Sequence, residues 1–550
     1  MGDRVGVLLS FVDGMVTTSP DEVRGIVAVC DWFARSNVRV AAVQAVLGLA
    51  LYGVVLGAPL FFDDHHFIEW NQHVNQFDLG EIYSSSVTEG AGFQSNTYRP
   101  NQQFVFALIY RFFELSPVPY HAFSLIVHIL NALLVFCLLA ALSLHRTGSF
   151  LASLVFLVHP IQTQSVSYVS GLAGPLALAF LLGGLYAWIA SLGQENSARR
   201  AGLFAAALML FVGAFFTKSD AVILSPLSLV LGIYLVLTGR IQVGRYLVLS
   251  LVSFALLAFG FLVVKLTLLN FAGTSGMVTG TSVYTENLHV RLITFVSVID
   301  RYIEMMVWPA VLSYGKPRII FTSLVTLHGL AGLIALSFGA LAALRARKSP
   351  LMFLGCGWFF AALAPFSGLI PLTAMYLEHW LYVPLIGPGI LLAGFYSRVT
   401  PASRKRIVAV AALVLPILMV RTTVRNYQWA DAERFYLADM RVAGASVQML
   451  NNLAIHLDSV GQTDRAIEAL QLIVKTVDTA PEPHVNLAQF HTRRGDYGRA
   501  KAEYLRALEL DPKNLNGLIG LRDLYDARGK IEQALKLERQ IRGIERDLAQ

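Results

Sequence analysis

Residues 121–144 read HAFSLIVHILNALLVFCLLAALSL, a run without Asp, Glu, Lys or Arg. About 20 apolar residues suffice for an α-helix to cross a bilayer. A helix also satisfies its own backbone polar groups where lipid cannot. The pattern recurs along the chain, with candidate spans starting near Val38, His121, Phe150, Val166, Ala201, Ala221, Tyr246, Thr322, Leu351, Trp380 and Ile407. These predict an all-α, polytopic membrane helix bundle of about 11 spans. Composition agrees: 55% of residues are hydrophobic and 14% charged, with a mean hydropathy of +0.58. A soluble domain carries about 25% charged residues. The formal charge of +7 sits mainly in short connections between apolar runs, where it signals topology, so no nucleic-acid partner is expected. Cys30, Cys137 and Cys356 lie too far apart for a disulfide framework or a metal motif. Residues 1–37 show no cleavage pattern and are read as a cytoplasmic segment rather than a signal peptide.

The flanks of the quoted run give direction. His145-Arg146 follows it, and alternate short connections read Glu195 to Arg200, Arg240 to Arg245, Arg345 to Lys348 and Arg398 to Arg406. Together they hold twelve Lys or Arg and one acid, whereas Pro160 to Ser165, Thr217 to Asp220 and Pro371 to Glu378 hold a single base, Lys218. Positive-inside bias places the first set in the cytoplasm. An odd number of spans then puts the C-terminal region outside. The expected layout is a transmembrane region 38–421 with outer loops 62–119 and 269–321, a linker 422–446, and a repeat domain 447–550. The orientation gathers the polar clusters on the outer face, which suits a site at the membrane surface.

Gly461, Gly495 and Gly529 are spaced by 34, as are Ala466, Ala500 and Ala534, and Asn452-Leu453-Ala454 recurs as Asn486-Leu487-Ala488. That period, with glycine at a turn and alanine where two helices touch, is the tetratricopeptide signature. Two complete repeats and part of a third are expected, stacked as an α-solenoid. Such a surface suits extended peptides, and equally a stabilising or dimerising role.

Asp63 and Asp64 follow the first span. Carboxylates there can act as general base or bind a divalent metal; they can also be solvated flanking residues. His65 and His66 are candidate metal ligands, although adjacent side chains diverge. Arg99 precedes a short amphipathic segment carrying Phe104, Leu108, Phe112 and Leu115, read as a helix along the interface. Its planar donor fork suits a phosphate, whether a substrate's or a bulk lipid's. Lys218 stands against the charge bias of its face and is a candidate anion ligand. His128 and Asn131 share a helix face, where Asn131 reads as an interhelical hydrogen-bonding group. Tyr376, Trp380 and Tyr382 suit an aromatic belt.

The order Phe-Phe-Asp-Asp-x-x-x-Ile, Tyr98-Arg99-Pro100, a span with His121, His128 and Asn131, His159-Pro160-Ile161, Glu378-x-x-Leu-Tyr382 and outer repeats resembles a known family. It looks like the transmembrane and tetratricopeptide-repeat protein O-mannosyltransferases and their bacterial relatives, members of the GT-C superfamily. The resemblance implies a polyprenyl-phosphate-linked sugar as donor and inverting transfer to a hydroxyl acceptor, protein Ser or Thr, outside the cytoplasm. It implies Asp63 as base with Asp64 beside it, and Arg99 near the donor phosphate. Lys218, His159 and His379 are added as phosphate ligands, and Tyr98, Glu378 and Tyr382 as acceptor or pocket residues. A metal is allowed for but not required. The compartment would be the bacterial periplasm at the inner membrane, or the endoplasmic reticulum lumen in a eukaryote. Two departures stand out. Gly171-Leu172-Ala173-Gly174 replaces an Arg- and Asp-bearing stretch, and Glu378-His379-Trp380 replaces Glu-Arg. The competing readings are a non-enzymatic scaffold that binds partners through its repeats, and a lipid or sugar transporter.

Overall fold

The computed structural model describes residues 20–93, 95–268, 282–317, 319–476 and 478–548. The described part is helical, without strands. Residues 269–281 and 318 of loop 269–321, and residues 1–19 of the N-terminal segment 1–37, fall outside these ranges. The chain divides into two units, residues 1–430 and 431–550.

In the first unit, nine helices among the described residues are long and apolar enough to cross a membrane. Two shorter apolar helices, Arg146–Val158 and Pro350–Phe366, stand where the sequence places the third and ninth spans. Every expected span start therefore falls on or beside an apolar helix. The sequence reading missed another helix. Pro20–Ala34 packs Ile26, Val27 and Cys30 against Leu151, Tyr396 and Val408. It lies where basic connections gather: the Arg146 Nε donates to the Ala34 carbonyl at 2.6 Å, and the His145 N–H to Ser397 Oγ at 2.7 Å.

Polar side chains tie the helices internally. The Tyr382 hydroxyl meets His128 Nδ1 at 2.8 Å and accepts from Asn131 Nδ2 at 3.2 Å, while Asn131 also donates to the Pro175 carbonyl at 2.8 Å. Each such bond contributes about 0.6 kcal/mol in a membrane, so the value of the network lies in its connectivity. The expected linker is helical instead. Pro401–Trp429 runs on past Arg421, because Thr422 and Asn426 have buried partners. Thr422 donates to the Val158 carbonyl at 2.6 Å, and Asn426 to the Leu51 carbonyl at 2.8 Å. A further helix, Ala432–Ala443, begins the second unit.

Three helix pairs follow in that unit: Val447–Ser459 with Thr463–Thr476, Pro481–Arg493 with Tyr497–Leu510, and Leu515–Ala527 with Ile531–Leu548. The third pair is thus formed, beyond the partial repeat read from the sequence. Gly461, Gly495 and Gly529 take φ of +81°, +78° and +66°, the left-handed turn that glycine adopts without strain. Ala466 and Ala500 are fully buried at the helix crossings.

One buried histidine should make this unit pH-sensitive. His484 Nε2 faces Asp478 at 2.7 Å and Nδ1 faces Glu503 at 2.6 Å, so both nitrogens donate only in the imidazolium form. Burial works against that charge, but the bonds to Glu503 and Asp478 outweigh it and hold the pKa above its ordinary value. The stabilisation is fully present below the unfolded value of about 6.5 and is lost as pH rises through the higher folded value. Hydrogen-exchange protection of the Pro481–Arg493 amides, corrected for intrinsic rates, should fall across that window, and His484→Gln should flatten the dependence. A profile identical in the variant would remove His484 from the account.

Candidate active site

The first span ends in a tight connection. Phe62 has a φ of +62°, unusual for a residue with a side chain, and strain of this kind costs about 1–3 kcal/mol. The turn aims the two following aspartates in different directions.

Asp64 turns inward. It is 1% exposed, and its Oδ1 accepts from the Ser170 N–H at 2.8 Å and Oγ at 2.5 Å, while Oδ2 accepts from the Phe61 N–H at 3.2 Å. Burial, with the neighbouring Asp63 charge, pushes its pKa to about 7 against these bonds. It clasps the 61–64 turn to the segment before helix Ala173–Leu192 and does not reach the cavity.

Asp63 points into a cavity of about 290 Å³, lined also by Thr97, Arg99, Gln164, Tyr168, Ser170, Gly171, Gly174, Lys218, Tyr314 and His379. Its N–H donates to the Tyr168 hydroxyl at 3.1 Å, and that hydroxyl also bonds the Asp63 carboxylate. Burial raises the carboxyl pKa, while Tyr168, His66 and Arg99 pull it back. Tyr168 is itself held, stacked on Trp429 with ring centroids 5.6 Å apart and edge-on to Tyr314 at 5.8 Å.

Cations stand around the same space. Arg99 caps helix Pro100–Phe113, and its guanidinium makes no hydrogen bond among the described residues; the charges it senses most are Asp220 and then Asp63. Lys218 Nζ pairs with Asp220 at 2.6 Å. Lys265 donates to Ser219 at 2.9 Å and lies within electrostatic reach of Asp220 and Arg99. The His379 side chain feels Lys218 and Arg99, and its N–H donates to Gln164 Oε1 at 3.0 Å. Thus residues 63, 99, 218 and 379, distant in sequence, meet around one space.

A second, small cavity of about 40 Å³ adjoins it through shared walls at Gly174, Lys218 and His379. The rest of its lining is largely apolar, including Ala177, Leu178, Leu181, Ile223, Phe366, Trp380 and Val383. Phe366 and Trp380 stack with centroids 4.5 Å apart.

Other candidates take structural positions. His159 Nδ1 accepts from the Ile161 N–H at 3.3 Å, so Nε2 carries the proton and donates to the Met306 carbonyl at 3.0 Å. Burial lowers its pKa to about 4, leaving it neutral and outside the polar cavity. Glu378 is fully buried, bound through Oε1 to the Ser313 N–H at 2.5 Å and Lys316 at 2.8 Å. Neither of the two cavities includes it. Tyr98 faces away from its cavity-lining neighbours and donates to the Tyr83 carbonyl at 2.8 Å. The Tyr382 hydroxyl is spent in the His128–Asn131 network, although the residue also borders the apolar cavity. His65 pairs with Glu69 and stacks on Trp70, whereas His66 packs edge-on to Trp70 and Phe93. No three His, Cys, Asp or Glu side chains converge on a metal position among the described residues. Helix Pro100–Phe113 leaves Leu108 and Phe112 of the expected apolar stripe exposed. Gln102 and Gln103 are buried, with Gln102 donating to the Ser170 carbonyl at 2.8 Å, while Phe112 and Phe113 are exposed.

Sequence reasoning missed Tyr168, Ser170, Tyr314 and Trp429, as well as the place of Lys265 beside the site. Only Lys265, a charge inside an apolar run, carried a sequence signal.

Comparison with known proteins agrees with the family resemblance. Residues 481–514 match the tetratricopeptide repeat model. The chain is similar to Protein O-mannosyl-transferase TMTC3 of Homo sapiens, 23% identical over 580 residues, covering 94% of this chain and 62% of the relative. It is likewise similar to Protein O-mannosyl-transferase TMTC4 of Mus musculus, 25% identical over 471 residues, covering 74% of this chain and 62% of the relative. The chain thus spans under two thirds of these relatives' length. Among solved structures, ArnT from Cupriavidus metallidurans bound to undecaprenyl phosphate matches with a TM-score of 0.42 and 14% identity, over 88% of this chain and 77% of that one.

Proposed function

We propose that this chain is a membrane glycosyltransferase that moves a sugar from a polyprenyl-phosphate donor to a hydroxyl acceptor on the non-cytoplasmic face. One observation carries the reading: a polar cavity that holds both a carboxylate and cations adjoins a largely apolar one, with Gly174, Lys218 and His379 lining both. A lipid-phosphate sugar has matching parts. In this reading the first isoprene units lie towards Leu178, Leu181 and Phe366, the phosphate lies by Lys218 and Arg99, and the sugar lies at Asp63, each a residue that lines one of the two cavities.

In the reaction, Asp63 accepts the proton of the acceptor hydroxyl. The hydroxyl oxygen bonds to the anomeric carbon as the bond from that carbon to the phosphate oxygen breaks. The electron pair leaves on polyprenyl phosphate, and the attack from the opposite face inverts the anomeric centre. Arg99 and Lys218 stabilise the charge gained by the leaving phosphate, in a space where preorganised groups act more strongly than in water. Burial keeps the Asp63 pKa above that of an ordinary carboxylate, which makes it a better proton acceptor. Asp64 acts by position, through Ser170. The gathering of basic residues in the alternate connections supports a non-cytoplasmic site, and protein Ser or Thr is the acceptor suggested by the relatives.

Mass spectrometry of exported proteins from cells with and without the chain tests this reading. Hexose on Ser or Thr should depend on the chain. Identical modification in both would favour the scaffold reading.

A further inference from the structure

We propose that Gly174 sets the aperture through which the lipid chain of the donor leaves the polar cavity. The inference rests on the lipid-phosphate reading and adds a specificity-determining residue to it. Gly174 lies in the first turn of helix Ala173–Leu192 and, with Lys218 and His379, forms the wall common to both cavities. Neither packing nor backbone geometry explains a glycine here. A Cβ built on Gly174 meets nothing within 4 Å, and its φ is not in the left-handed region. Nearby Gly171 differs, because a Cβ there would come within 2.7 Å of the Gln164 carbonyl oxygen. In a helix, glycine costs up to about 1 kcal/mol relative to alanine. What Gly174 supplies is open space, at the junction where a phosphate held by Lys218 would hand its chain to the apolar groove. A longer side chain would project into that junction rather than into the protein.

The test uses the full chain in lipid nanodiscs, with undecaprenyl phosphate as probe and binding measured for wild type, Gly174→Ala, Gly174→Val and Gly174→Leu. Alanine should bind within about threefold of wild type, valine should weaken binding, and leucine should weaken it by about tenfold or more. Thermal midpoints should stay together, since the added atoms meet open space. Should leucine lower the midpoint, valine at an unchanged midpoint decides. Equal affinity in all four proteins would overturn the aperture while leaving the lipid-phosphate reading intact. Absence of binding by wild type would overturn both.

Discussion

Asp63→Asn should lower sugar transfer by about a thousandfold, the scale on which a positioned general base contributes. The amide keeps the shape of the side chain and a carbonyl that can accept from Tyr168, but it cannot take the acceptor's proton. Asp63 supports no packing of the kind seen at Asp64, so yield and thermal midpoint should hold. Donor binding should also hold, because the proposed phosphate ligands are Arg99 and Lys218 rather than Asp63. In the wild type, the ionised base is lost as pH falls through a pKa raised by burial. The acid limb of the activity profile should therefore lie above the ordinary aspartate value of about 3.9. An Asp63→Asn chain with normal transfer would remove the base from the mechanism.

Arg99→Ala should weaken use of the lipid donor by about a hundredfold, comparable to removing one preorganised donor from a developing negative charge. Unlike loss of Asp63, this loss should appear in donor affinity as well as in rate, since the cation faces the phosphate in both ground and transition states. Arg99→Lys should recover part of it: the charge is restored but the planar fork is not. Lys218 and Lys265 stand close enough to share the load, which bounds the expected loss. Unchanged donor dependence in Arg99→Ala would place the phosphate elsewhere, and Lys218 would then become the leading candidate.

Much of the architecture was legible because its causes are local. Apolar runs and basic connections reveal spans one at a time, and a glycine every 34 residues marks a left-handed turn regardless of what surrounds it. The candidate site divides along the same line. Asp63 and Arg99 could be found because each sits at the end of a helical element, whereas separating Asp63 from Asp64 depends on the strained backbone at Phe62 and on Ser170, 106 residues away. Glu378 and His159 looked chemical by type, but their burial beside Lys316 and the Met306 carbonyl is a tertiary fact. The segment after Arg421 read as a linker because charges reappear there. Its helix continues because Thr422 and Asn426 find partners on distant elements. Tyr168 and Trp429 resemble any belt aromatic until their stacking behind Asp63 is seen. The Gly171–Gly174 departure acquires meaning only once it is found on the cavity wall.

The most direct test of the account is transfer by the purified full chain, supplied with a hexose on either polyprenyl phosphate or a nucleoside diphosphate and with a Ser/Thr-containing acceptor peptide. The expected result is glycopeptide formed only from the lipid donor, with one polyprenyl phosphate released per sugar and none formed by Asp63→Asn. Transfer from the nucleotide sugar, or equal turnover by the variant, would contradict it.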